Sequence, residues 1–261
     1  MNFDAIIRAE AATFCLEVVR LAGMVAVAPL IWTAVPARIK AILVLTLALA
    51  VHGQTPAPHG VLESTELLAI ATVTEFALGA SMGFVTLLVI AIAEMAGNAL
   101  APMMGFGVAQ VFDPQAHTVH AVLAQHFRTL AVLLAVLTGL HRTLIAAVLT
   151  SFQLVPPGTL VNPGVAFPMM LELTGIALVA AIRIAMPILA ILLLAQLALA
   201  FISRAAPAMQ IFSVGFAVTL GVGLVVTWLV LPDIGRELIA ESSRAGTRLE
   251  HLVGRFTSAS L

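Results

Sequence analysis

Charge is what this chain most lacks. Only 10% of its 261 residues are Asp, Glu, Lys or Arg, whereas a soluble domain carries roughly 25%. With 61% hydrophobic residues and a mean hydropathy of +1.12, the chain cannot cover its apolar surface with polar groups, so lipid or other apolar subunits must do so. The formal net charge of -1 gives no basis for a nucleic-acid partner or an acidic substrate. Cysteine is nearly absent. Cys15 stands alone, which excludes an intrachain disulfide and a Cys-based metal cluster, and it reads as a small core or lipid-facing residue. The opening MNFDAIIRAE lacks a basic n-region and carries Asp4 and Glu10, so no cleaved signal peptide is expected. Catalytic patterns are missing too. There is no H-E-x-x-H, G-x-S-x-G or P-loop, and Ser81 in GASMG follows no strand. His117, His120 and His126 have only Asp113 nearby and read as polar loop histidines rather than as a zinc site. Asp113 and Asp233 flank apolar segments rather than sit inside them, which argues against intramembrane proteolysis. Neither an enzyme nor a cofactor or metal site is expected.

What is present is apolar length. Seven stretches stand out, over about 11–35, 39–51, 67–93, 95–112, 127–150, 172–203 and 208–231. A helix needs about 20 apolar residues to span a bilayer, so 39–51 is short, and 95–112 is cut by Pro102, Gly105 and Gly107. No barrel-like alternation occurs, and the fold class is an all-α integral membrane protein of about six apolar helices. Basic residues cluster at Arg38 and Lys40, at Arg204, and at Arg236, Arg244, Arg248 and Arg255. A six-pass threading places the first two groups on the cytoplasmic side and the Arg-rich tail outside, in violation of the positive-inside rule. The chain divides into a membrane domain, 1–231, and an amphipathic tail, 232–261. In that tail Ile234, Leu238, Ala245, Leu249, Leu252 and Phe256 share one helix face, expected to rest on the membrane surface.

Six charges lie in or beside apolar runs: Glu17, Arg20, Glu75, Glu94, Glu172 and Arg183. A charge at the bilayer centre costs about 2.5–3.5 kcal/mol on insertion scales, so these side chains are expected to face protein or water. The i,i+3 spacing of Glu17 and Arg20 predicts a pair on one helix. Glu172 and Arg183 lie about 16 Å apart along a helix and need partners elsewhere. Contacts between subunits are the expected use of these charges. Small residues are dense. Gly79 and Gly83 form a G-x-x-x-G face, and Gly215, Thr219 and Gly223 repeat that spacing, so close helix packing is predicted at both places.

Residues 103–115, MMGFGVAQVFDPQ, are soft and apolar where a membrane connector is usually polar. Gly105 and Gly107 allow bending, Met103, Met104, Phe106 and Phe112 supply deformable apolar bulk, and Asp113-Pro114, followed by Gln115, forces a turn. The reading is an apolar plug against a plainer inter-helix turn.

GFGVAQVFDPQ at 105–115 resembles the loop signature of the FliR family, the R subunit of the flagellar type III protein export gate. SRAAPAMQIFSVGF at 203–216 is similar to that family's other signature, and APLIW–VPARIK at 28–40, GLH at 139–141 and SFQLVPPG at 151–158 follow in matching order. The resemblance spans about residues 10–230. It implies a non-enzymatic subunit of stacked helical hairpins in the bacterial inner membrane, at the flagellar basal body. The implied partners are several copies of the P and Q gate subunits, a B-type switch subunit, membrane lipid and unfolded export substrates. It also implies that the loop matching 105–118 closes the channel. The T subunit of virulence injectisomes is a close relative and the first rival reading. A small-solute secondary transporter is the second, and the inverted repeat it needs is not found.

Overall fold

The computed structural model describes residues 3–29, 35–53, 55, 65–106, 119–205 and 211–258. Among them the regular structure is helical: α1 (Phe3–Val27), α2 (Ala37–Val51), α3 (Thr65–Met103), α4 (Val119–Leu137), α5 (Leu140–Leu154), a 3-10 turn at Pro163–Ala166, α6 (Phe167–Ala205) and α7 (Ile211–Ser258). The stretches 67–93 and 95–112 are not two helices. The first and the part of the second up to Met103 form one helix, α3, which runs through Pro102 in its last turn. The stretch 127–150 does break. Gly139 adopts φ +79°, a left-handed conformation suited to glycine, and α4 and α5 bend by 63° there. Pro187 and Pro232 end nothing; each sits inside a continuous helix, α6 or α7. In an apolar setting the alternative to a kinked helix is unpaired backbone without water, so the helix persists. No helix boundary falls at residue 231.

Among the described residues three helices are long and apolar enough to cross a membrane, namely Thr65–Met103, Gly164–Arg204 and Gly215–Ser258, and the bent pair α4–α5 makes a fourth if it acts as one span. At 15 residues, α2 is about 22 Å long, short of the roughly 30 Å hydrocarbon core.

The chain forms two compact units. The first comprises Met1–Leu88, Ala135–Thr174 and Glu241–Leu261, and the second Val89–Leu134 and Gly175–Ala240. The first unit is organised by the crossing of α1 and α3. Gly23, Gly79 and Gly83 bring the two backbones into contact. A Cβ at Gly79 would overlap the Arg20 carbonyl oxygen, and one at Gly83 would lie 2.7 Å from that of Met24. Residue numbers rise together along the contact (Arg20 with Gly79, Met24 and Ala28 with Gly83), so α1 and α3 run parallel here. That backbone approach is what G-x-x-x-G spacing permits.

At the same crossing Arg20 and Glu75 are both fully buried. Arg20 Nε donates to Glu75 Oε2 at 2.5 Å and Nη2 donates to Oε1 at 3.0 Å, a bidentate pair. Nη1 also donates to Ser151 Oγ at 3.1 Å and Nη2 to the Val155 carbonyl at 3.0 Å, while the guanidinium lies 4.4 Å from the Phe152 ring centroid. Glu75 Oε1 accepts the Gly158 N–H at 2.9 Å. One ion pair thus ties α1, α3, the end of α5 and the 155–158 turn. Glu17 does not pair with Arg20, although the i,i+3 spacing allows it. Its carboxylate instead contacts His52 Nδ1 at 3.1 Å and accepts from the Thr55 hydroxyl at 2.5 Å. Each charge points to a different neighbouring segment, and the tertiary partners outcompete the local one.

The end of α7 also packs inside this unit. Ala245, Leu249, Leu252 and Phe256 are at most 1% exposed, and the Ser242 and Thr138 hydroxyls are 2.6 Å apart. The apolar face expected on the membrane surface is buried in protein instead; Ile234 and Leu238 are buried likewise, in the second unit. Burial in protein removes that face from water as fully as lipid would, at about 1.5–3 kcal/mol for each large apolar side chain.

Two outcomes test this unit. Arg20→Met or Glu75→Met alone leaves a buried charge unpaired and should cost about 3–5 kcal/mol, whereas the double substitution should regain much of that loss. Thermal unfolding of the full chain in detergent measures both, and equal losses for single and double variants would contradict it. Gly79→Leu should prevent the α1–α3 contact, read as loss of the monodisperse species on size exclusion.

Candidate functional site

Helix α3 ends in a way that fixes the first part of the 103–115 stretch. The Gly105 N–H donates to the Pro102 carbonyl at 3.1 Å and the Phe106 N–H to the Ala101 carbonyl at 3.2 Å. Gly105 has φ +90°. This is a Schellman cap, with glycine at the left-handed position following the last helical residues. Gly105 here terminates a helix in one defined geometry, which is a narrower role than general bending.

Three contacts in the second unit hold this cap. The Met103 carbonyl, left without a helical partner by the chain reversal, accepts from Gln196 Nε2 of α6 at 3.0 Å, and Met103 Sδ lies 3.8 Å from the same nitrogen. Met104 is fully buried. It fills a notch at Gly223 of α7, where a Cβ would come within 2.7 Å of Met104 Cγ and Cε. A Cβ on Gly105 would lie 2.8 Å from the Phe216 ring. Gln196 was not singled out from sequence. Its signal is there, a lone amide in LLLAQLALA, because an amide in an apolar run needs a partner.

Beyond the cap, Phe106 is half-buried and lines an apolar cavity of about 360 Å³ together with Val122, Leu123, Phe127, Leu130 and Leu224. His126 also borders it, with Nδ1 2.7 Å from the Val122 carbonyl oxygen. Gly107, Phe112, Asp113, Pro114 and Gln115 lie outside the described residues, as do His117 and the side chain of His120.

The remaining small residues and charges sort by surroundings. Gly97, unremarked in the sequence, has its Cβ position 2.7 Å from Ala124 Cα, so α3 and α4 touch backbone to backbone. Gly215 has only Leu199 within reach, at 3.8 Å, and sits in an ordinary contact. Glu94 pairs with Arg128 and Arg183 with Glu237, both at 3.2 Å and all four side chains partly exposed. Glu172 is exposed near the start of α6. Glu17, Arg20 and Glu75 meet partners within their own chain.

Long apolar helices, close glycine crossings and buried ionic ties define an all-α membrane protein. The chain belongs to family 1 of the bacterial export proteins, whose model matches residues 11–244. It is 32% identical to the flagellar biosynthetic protein FliR of Pectobacterium carotovorum subsp. carotovorum over 184 residues, covering 68% of this chain and 70% of that protein. It is 29% identical to FliR of Escherichia coli (strain K12), with 82% of each covered, and 25% identical to FliR of Bacillus subtilis (strain 168), with 74% and 77% covered. The chain is therefore a subunit of the flagellar type III export apparatus, in partnership with other subunits of that apparatus.

The anchors give a direct test. Gly223→Val should expel Met104 from its notch, and Gly105→Ala should strain the cap by about 1–2 kcal/mol. Accelerated trypsin-independent cleavage by chymotrypsin near Phe106 reads out a loosened cap, and wild-type cleavage rates would contradict it.

Proposed function

We propose that this chain forms part of the gate of the export channel and that the segment beginning at Met103 closes it. The observation that supports this reading is the pinned cap. Met103 and Met104 are held by Gln196 and Gly223, while Phe106 faces a cavity with room for its ring. A seal against water needs soft apolar bulk on a fixed base, and both are supplied here. Residues 103–107 and 112–115 then act as the plug.

On this reading the protein is not an enzyme and uses no cofactor. It is a multi-pass protein of the bacterial inner membrane at the flagellar basal body, assembled with the P and Q gate subunits, one R copy among several of theirs, and with the B-type switch subunit. Unfolded export substrates pass through the channel. Residues 1–231 form the gate's membrane part and 232–261 the tail. Glu94, Glu172 and Arg183 retain exposure and suit contacts with neighbouring subunits, whereas Arg20, Glu75 and Glu17 serve within the chain. The broad apolar faces of α6 and α7, with Leu178, Met186, Leu194, Phe201, Trp228 and Leu229 exposed, call for lipid or subunit cover.

Deleting 106–112, or replacing Phe106 and Phe112 by Ala, should make cells carrying the assembled gate leak ions, measured as loss of membrane potential or growth on salt stress. Gln196→Leu should produce a weaker leak, because it frees the base and leaves the plug intact. A tight membrane with normal assembly would overturn the plug assignment.

A further inference from the structure

Between α1 and α2, within the first unit, lies an apolar groove of about 400 Å³. Its walls are Val18, Ala22 and Ala26 on one helix and Ala41 and Leu45 on the other, with Lys40 as its one charged residue. The alanines open it, since larger side chains at 22, 26 and 41 would fill the space between the helices. Lys40 is half-buried along the groove, and Arg38 is exposed two residues away. Among the described residues neither cation has an ion-pair partner, and α2 contains no acidic residue at all. The nearest buried acid on α1, Glu17, is committed to His52 and Thr55. Beside the groove, Ile39, Ile42, Leu45 and Leu49 are 45–65% exposed, so this face of α2 meets an apolar environment.

We infer that this groove binds an anionic phospholipid, its acyl chain lying along the alanine-lined channel and its phosphate meeting Lys40 and Arg38. Charge complementarity selects the occupant. A groove lined by apolar side chains and one lysine, with Arg38 exposed two residues away in the chain, matches an amphiphile with a negative head. Basic pockets beside membrane helices hold such headgroups, and a lysine stem can line apolar space while its ammonium reaches the headgroup. An acidic protein segment would satisfy the cations but would bring polar backbone against the alanine wall. The inference does not depend on the plug. It needs only that α1 and α2 meet lipid.

Native mass spectrometry of the purified full chain in detergent tests it, with cardiolipin, phosphatidylglycerol and phosphatidylcholine as probes. The anionic lipids should be retained over phosphatidylcholine on the order of tenfold. The Arg38→Ala/Lys40→Ala double variant should lose that preference. Ala22→Phe and Ala41→Phe, which fill the groove and keep both charges, should lower retention of all three lipids. Equal retention of phosphatidylcholine by the wild type, or an unchanged preference in the double variant, overturns the site. Photo-crosslinking from a probe on Ala41→Cys, in a Cys15→Ser background within the assembled gate, separates the occupants. Lipid adducts support the inference, and a protein adduct refutes it.

Discussion

The first unit depends on one buried ion pair. Arg20 and Glu75 are wholly inside the protein, where neither charge can remain unpaired. The pair is met by hydrogen bonds from or to Ser151, Val155 and Gly158. Its weight lies in specificity more than in net stability, because a buried ion pair roughly breaks even against apolar residues of the same volume. A slip of α1 along α3 would separate the charges and also lift Gly23, Gly79 and Gly83 out of their backbone contacts. Ionic and steric constraints therefore select the same register. The 155–158 turn is fixed by the same carboxylate, and Gly158 takes the left-handed φ of +82° that the turn requires.

The second unit is held differently. Its ion pairs, Glu94–Arg128, Arg183–Glu237 and Asp233–Arg236, are partly or largely exposed, and such pairs contribute about 0–1 kcal/mol. Shape does more. Gly97 admits Ala124, and Gly223 admits Met104. Packing of small against large side chains is the main attraction open to helices in an apolar solvent. It leaves the outer faces of α6 and α7 apolar and uncovered, as expected for a subunit completed by neighbours and lipid.

The helical class and the positions of most helices were legible from apolar run length. The breaks were not. Proline at 187 and 232 was indistinguishable from a helix end, yet both lie inside helices, while the milder-looking Thr138-Gly139 bends the chain. Run length also could not separate a face that meets lipid from one that meets protein, so the α7 face at 245–256 was assigned to the membrane surface. Local spacing pairs Glu17 with Arg20 because partners 35 to 135 residues away in sequence are invisible to it. The family was legible for a different reason. GFGVAQVFDPQ and SRAAPAMQIFSVGF are specific in residue order, not merely in composition, and the matched region of 11–244 contains both.

The cap at Gly105 places a mechanical boundary within the segment proposed as the plug. On its helix side the chain is overdetermined: Met103 is hydrogen-bonded, Met104 is in a notch, and Gly105 is in the single conformation that a Schellman cap allows. Past it, Phe106 borders open apolar space. A ring beside such a cavity can change rotamer without disturbing Met104, because no polar group has to be broken free and little packing is lost. A gate built on this boundary separates two requirements that conflict in a continuous helix. The base, Met103 to Gly105, keeps its register against α6 and α7. In the proposed gate, substitutions at Met103 and Met104 should then act on closure through position, and those at Phe106 through bulk.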